Sequence, residues 1–138
     1  MRSFLITILF IILPNILFAS SNYFNEGLSL YEKKEFDKAK FKFEQDIVFN
    51  PKNEKAYLYL SKIFRAQEKK ELEEKNLNTV ILLNPKNEEA IYSLAQLKLK
   101  DSDFEGSKQL IEKLLIICKD YCQKSHDLKI EIEKSQSK

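Results

Sequence analysis

The sequence predicts an all-α protein of three repeated helix pairs closed by a C-terminal capping helix. The first observation behind this is a pentapeptide, Asn50-Pro51-Lys52-Asn53-Glu54, that recurs unchanged as Asn84-Pro85-Lys86-Asn87-Glu88. Each copy closes an apolar stretch, residues 47–49 and 80–83, so the step from position 50 to position 84 reads as structural punctuation with a fixed period. The second is the scarcity of turn formers: 2 Gly and 3 Pro in 138 residues leave few places for β-hairpins. The third is composition. Lys, Glu, Leu and Ile dominate, with apolar stripes at helical spacing between charged faces.

Residues 1–19 stand apart. Arg2 gives a positive start, and Phe4 to Phe18 is almost wholly apolar, interrupted by Pro14 and Asn15. The apolar run is shorter than the roughly 20 residues that span a bilayer and is followed by small residues at Ala19, Ser20 and Ser21. A secretory signal peptide is expected, cut after Ala19 or Ser21, and with it a periplasmic or extracellular location. The alternative is an inner-membrane anchor over residues 4–18. No cysteine lies near the cut, so a lipoprotein anchor there is excluded.

Laid out at that period, the following chain divides into 20–53, 54–87 and 88–121, each reading as two amphipathic helices. The first unit carries Tyr23, Gly27 and Leu30 on one helix and Phe36, Ala39 and Phe43 on the next. Pro51 and Pro85 lack the N–H that would continue a preceding helix, Asn53 and Asn87 are placed as N-caps, and Glu54, Glu88 and Glu89 put negative charge in the first turn that follows. The second unit keeps Tyr57, Leu60, Ser61 and Phe64, then Leu77 and Val80. Its middle holds Lys70 and Glu73 where the first unit has Phe36 and Ala39. The period predicts a turn near residues 67–70; the competing reading is one long helix from Glu54 to Leu83. The third unit has Leu94, Ala95, Leu97 and Leu99, a turn at 100–103, and Ser102 with Glu105 spaced as a capping box. Phe104, Ser107, Ile111 and Leu114 follow. Lys119 stands where the closing proline would be. Residues 122–138 supply a polar-backed cap with Leu128, Ile130 and Ile132 as its apolar positions and a frayed end from Ser135.

Over residues 20–121 this pattern of aromatic, small and proline positions resembles the tetratricopeptide repeat family. The resemblance implies a right-handed α-solenoid whose first helices line a concave, partner-binding groove. The residues it places there are Phe24, Asn25, Leu28 and Tyr31; Leu58, Tyr59, Lys62 and Arg65; and Tyr92, Ser93, Gln96 and Leu99. About half are expected to be exposed, the rest packing against the neighbouring unit. An aromatic groove with two cations suits an extended segment or an amphipathic helix of a protein partner. The family's carboxylate clamp for chaperone C-termini is absent, since Phe24, Leu28, Tyr59, Glu89 and Ser93 occupy its places.

Other chemistry has less footing. The 23 basic and 21 acidic residues alternate, and without Arg2 the net charge is +1, so nucleic acid is disfavoured. With one His, no Gly-rich loop and no triad spacing, no enzyme is expected and no cofactor. Cys118, Cys122 and His126 are spaced by four. They allow a disulfide between the two cysteines, two free thiols in the packing, or a minor metal or redox site; for zinc the fourth ligand is missing, and no metal is assigned. A membrane contact is expected only through an uncleaved leader, and homo-oligomerisation through the end faces stays open.

Overall fold

The computed structural model describes residues 14–136, with side chains from residue 22 onward. Most of the expected leader and the last two residues lie outside the described residues. Seven helices run through the described chain: α1 (Pro14–Glu32), α2 (Phe36–Phe49), α3 (Glu54–Ala66), α4 (Lys70–Leu83), α5 (Glu88–Lys100), α6 (Phe104–Ile117) and α7 (Cys122–Gln136). The architecture is all-α, three helix pairs and a closing helix. It falls into two compact units, divided between Ala56 and Tyr57.

The turn inside each pair shows the repeat at backbone level. Lys34, Glu68 and Ser102 are the non-glycine residues with positive φ, at 62°, 56° and 61° among the described residues, and they follow one another at the period of the pentapeptide. Each turn closes with the same two bonds. The N–H of the positive-φ residue reaches the carbonyl three back, and the next N–H reaches the carbonyl five back, as in Glu68 to Arg65 and Lys69 to Phe64. This is a left-handed helix C-terminus made without glycine. It breaks the chain at 67–69, so the single long helix from Glu54 to Leu83 is not formed. It also corrects the expected capping box. Ser102 occupies the left-handed position, and Asp103 is the N-cap of α6, its carboxylate accepting from the Gly106 N–H at 2.9 Å.

In the first unit α1 and α2 meet where the sequence is smallest. A Cβ placed on Gly27 would come within 2.8 Å of the Phe43 ring, so this glycine is required by close approach. Ala39 and Phe43 are fully buried beside it. Phe24 lies tilted against Phe43 at 5.6 Å, Tyr23 stacks on Phe49 at 5.6 Å, and Tyr31 meets Phe36 at 5.5 Å. Asp46 is buried at the end of α2, where Asn53 Nδ2 donates to its carboxylate at 2.6 Å. At the equivalent place before α5, Asn87 caps the helix by accepting from the Ala90 N–H at 2.9 Å.

In the second unit α5 is buried on two sides. Ala90, Leu94 and Leu97 join Leu58 of α3 and Leu77 and Val80 of α4. Ile91 and Ala95 join Ile111 and Leu114 of α6 and Leu128 and Ile132 of α7. Ser107 is fully buried and donates to the Ala95 carbonyl at 2.8 Å, which lets α6 lie close to α5. Leu128 and Ile132 are one turn apart and face this core, whereas Ile130 is 49% exposed. The closing helix runs to Gln136, past the expected fraying point at Ser135.

Candidate functional site

Lys70 and Glu73, the departures from the repeat pattern in α4, organise the inner face of the second unit. Glu73 is buried, and its carboxylate accepts from Arg65 Nε at 2.6 Å. Arg65 reaches on to the Ser93 carbonyl at 3.3 Å. An ion pair between α3 and α4, tied to α5, replaces the aromatic and small-residue contact found in the first unit. Burying a carboxylate is tolerable only because a guanidinium and its hydrogen bond accompany it. Lys70 stays exposed and pairs with Asp101.

A row of rings and cations lies over α3, α5 and α7. Lys62 Nζ sits 4.8 Å from the centre of the Tyr59 ring and pairs with Glu89 at 2.8 Å. Lys124 Nζ sits 4.5 Å from the Tyr121 ring, and Tyr121 lies tilted against Tyr92 at 5.4 Å. Gln96 Nε2 donates to the Tyr92 hydroxyl at 3.3 Å. Burial pushes the Tyr92 phenol up; the Glu131 and Asp127 carboxylates add to this and Arg65 opposes it. Burial likewise raises Tyr121, with Glu89 the next cause. Both phenols therefore keep their protons at neutral pH and can donate hydrogen bonds. Beside them opens a cleft of about 870 Å³ lined by Arg65, Gln96, Leu99, Lys100, Phe104, Leu128 and Glu131. Its lining mixes apolar side chains with charged ones of both signs, the buried Glu73 among them.

The residues the resemblance placed in a groove divide in two. Tyr59, Lys62, Tyr92, Gln96 and Leu99 are half-buried, and Arg65 is exposed beside them. Leu58 and Ser93 are corrections: Leu58 is buried in the core with Leu77 and Leu94, and Ser93 is buried with its carbonyl taken by Arg65. In the first unit Phe24, Leu28 and Tyr31 are half-buried and Asn25 is exposed, with Phe24 and Tyr31 committed to ring contacts. Sequence reasoning missed Tyr121, Lys124 and Glu73. The Tyr-x-x-Lys spacing shared by Tyr59/Lys62 and Tyr121/Lys124 was the available signal for the first two; nothing in the repeat pattern marks a buried acid at Glu73.

The turn between α6 and α7 is held from outside. Both oxygens of Glu88, at the start of α5, accept backbone N–H groups: Lys119 at 2.9 Å, Asp120 at 3.0 Å and Tyr121 at 2.9 Å. These bonds stand where the proline of the other two units is missing. The same turn is crossed by a disulfide between Cys118 and Cys122, with Cα atoms 5.3 Å apart. Cys118 caps α6 while Cys122 and His126 lie on α7, so the three do not share one helix, and His126 is exposed. With both sulfurs bonded to each other, the expected alternatives of free thiols or a metal site do not match this arrangement. Among the described residues no three His, Cys, Asp or Glu side chains are grouped to hold a metal ion, and no helix is long and apolar enough to cross a membrane.

No family model matches the sequence. No curated protein matches it. Solved structures are similar to it in fold. The first TPR domain of Spaghetti (RPAP3), bound to the HSP90 peptide SRMEEVD, aligns with a TM-score of 0.77 at 13% identity, over 86% of this chain and 94% of that one. The Sgt2 TPR domain from Aspergillus fumigatus aligns at 0.72 and 20% identity, over 86% and 82%. The Yersinia enterocolitica type III secretion chaperone SycD, in complex with a peptide of the translocator YopD, aligns at 0.77 and 10% identity, over 84% and 93%. At these identities the likeness speaks for the fold, and it agrees with the period of the pentapeptide, the Gly27–Phe43 contact and the repeated turn. The chain has the fold of a tetratricopeptide repeat protein.

Proposed function

We propose that this protein is a non-enzymatic adaptor of the cell envelope that binds a peptide segment or helix of a protein partner on the inner face of its second unit. The observation that carries the reading is the ring row Tyr59, Tyr92 and Tyr121, supplied by α3, α5 and the turn before α7. Rings with polar tips and few rotatable bonds make good anchors at interfaces. Two of the fold neighbours were bound to peptides, one of HSP90 and one of the translocator YopD, which supports the binding mode. The ligand here differs from an acidic chaperone tail, because Tyr59, Glu89 and Ser93 stand where the clamp would need amide and basic side chains. Export through the 1–19 leader accompanies this reading, and a disulfide suits an oxidising compartment.

A photoreactive residue at Gln96, on the cleft wall, tests it in the native cell. One reproducible heterologous partner is expected, and Tyr92→Ala abolishes its capture while helical content stays unchanged. Crosslinks only to another copy of the chain would replace the adaptor with a structural oligomer. Arg65→Ala is a poor probe, since it strands the buried Glu73 carboxylate. The mass of the chain recovered from the envelope checks the leader: a mature chain beginning just after Ala19 or Ser21 is expected, and an intact N-terminus would indicate the anchor.

A further inference from the structure

Val48, Leu82 and Ile116 are exposed by 75%, 80% and 84%. They follow one another at the repeat period, and each is the last residue but one of the second helix in its repeat. Packing does not explain them, because the residues that enter the core at these helix ends are Val80 and Leu114, two positions earlier. Scattered exposed apolar residues are normal on any surface. Three at one register, each aliphatic and each three-quarters exposed or more, are a repeated feature. Within the second unit Leu82 and Ile116 end helices that hold the same place in consecutive repeats, so they belong to one edge of the stack.

A lysine follows each of them. Lys52, Lys86 and Lys119 follow the three aliphatics within a helical turn's length of chain, are exposed, and enter no salt bridge among the described residues. Of the acids nearby, Glu44 is held by Lys40 and Glu88 faces the backbone of 119–121, while Glu112 and Asp120 stand exposed beside Ile116 among Lys113 and Lys119. We propose that this edge rests on an anionic lipid surface, with Leu82 and Ile116 entering the headgroup and acyl boundary and the lysines meeting lipid phosphates. Leu82 and Ile116 are single exposed points, set between the half-buried Ile81 and Leu83 and the half-buried Leu115 and Ile117, with polar neighbours such as Asn78, Thr79, Glu112 and Lys113. Such points cannot assemble the contiguous area a stable protein interface buries, and a second copy would bring the same lysines against them. A bilayer requires no shape complementarity, and its anionic headgroups attract lysines.

The chain contains no Trp, so single Trp substitutions report one position at a time, whatever the leader does. In the full chain, Leu82→Trp and Ile116→Trp should shift to shorter emission wavelength on phosphatidylcholine vesicles containing phosphatidylglycerol, and brominated acyl chains should quench them. The shift should be lost on pure phosphatidylcholine, at high salt, and after Lys86→Glu with Lys119→Glu. Leu72→Trp, at the other end of α4, should not respond. No shift at 82 and 116 would overturn the proposal, as would an equal shift at Leu72→Trp. A shift that grows with protein concentration without lipid would assign the edge to a second copy instead.

Discussion

Glu88 shows how much one carboxylate can organise when its partners are backbone. Three N–H groups of the α6–α7 turn converge on it, and these bonds, Lys119 first, with the charge of Lys119 beside them, hold its carboxyl below the ordinary value of 4.5. A carboxylate with a lowered folded pKa contributes stability that is present in full above its unfolded value and is lost as pH falls through the folded one. Glu88→Gln should therefore melt at a lower temperature than the parent at neutral pH, and the gap should close in acid as the parent's Glu88 takes up its proton. Paired thermal melts across that range test this; a constant gap would mean that the bonds survive protonation. Asp46 works in the opposite direction. Desolvation raises its pKa, partly offset by the Asn53 amide and the Phe24 backbone, so its contribution is lost as pH rises. Being common to both proteins, it cancels from the difference.

The helix-pair turn is the element in which the chain departs most from ease. Lys34, Glu68 and Ser102 hold a left-handed conformation that costs a residue with a Cβ about 1–2 kcal/mol, whereas glycine adopts it freely. Glu68→Gly should stabilise by about 0.5–1 kcal/mol after the entropy that glycine loses, raising the melting temperature by roughly 2–6 °C. Glu68→Val should lower it, because a β-branched residue is worse there than Glu. Scanning calorimetry on the two variants gives the sign of each; an unchanged melt for Glu68→Gly would mean that the strain is relieved by contacts of the side chain. These turns were legible in position, since the period demanded one near 67–70. Their chemistry was not, because the left-handed position itself holds Lys, Glu or Ser and never Gly, Asn or Asp. The capping box failed for a related reason: with Ser102 drawn into the left-handed position, capping passed to Asp103.

At the scale of the whole molecule, legibility followed the repeat. Where a residue's role is set by the helix partner within its own pair, as for Gly27, Ala39 and Phe43, one period of sequence sufficed. Where the role depends on the next helix along, it did not: Leu58 and Ser93 are covered by neighbours, and Tyr121 enters the ring row from a turn beyond the third repeat. The closing helix has the same dependence, and its energetic share can be argued. Leu128 and Ile132 cover Ile91, Ala95, Ile111 and Leu114, a face with no fourth repeat among the described residues to bury it. Truncating a fully buried Ile removes its transfer free energy and leaves a cavity, together about 2–5 kcal/mol. Ile132→Ala should lower the denaturant midpoint accordingly, whereas Ile130→Ala, two positions away and half-exposed, should change it by no more than about 0.5 kcal/mol. Leu128→Ala combined with Ile132→Ala should cost other than the sum of the two, since both line one core and share one space. If Ile132→Ala were as mild as Ile130→Ala, α7 would be an appendage lying on the array, and the exposed end of α5 and α6 would need another explanation for its order.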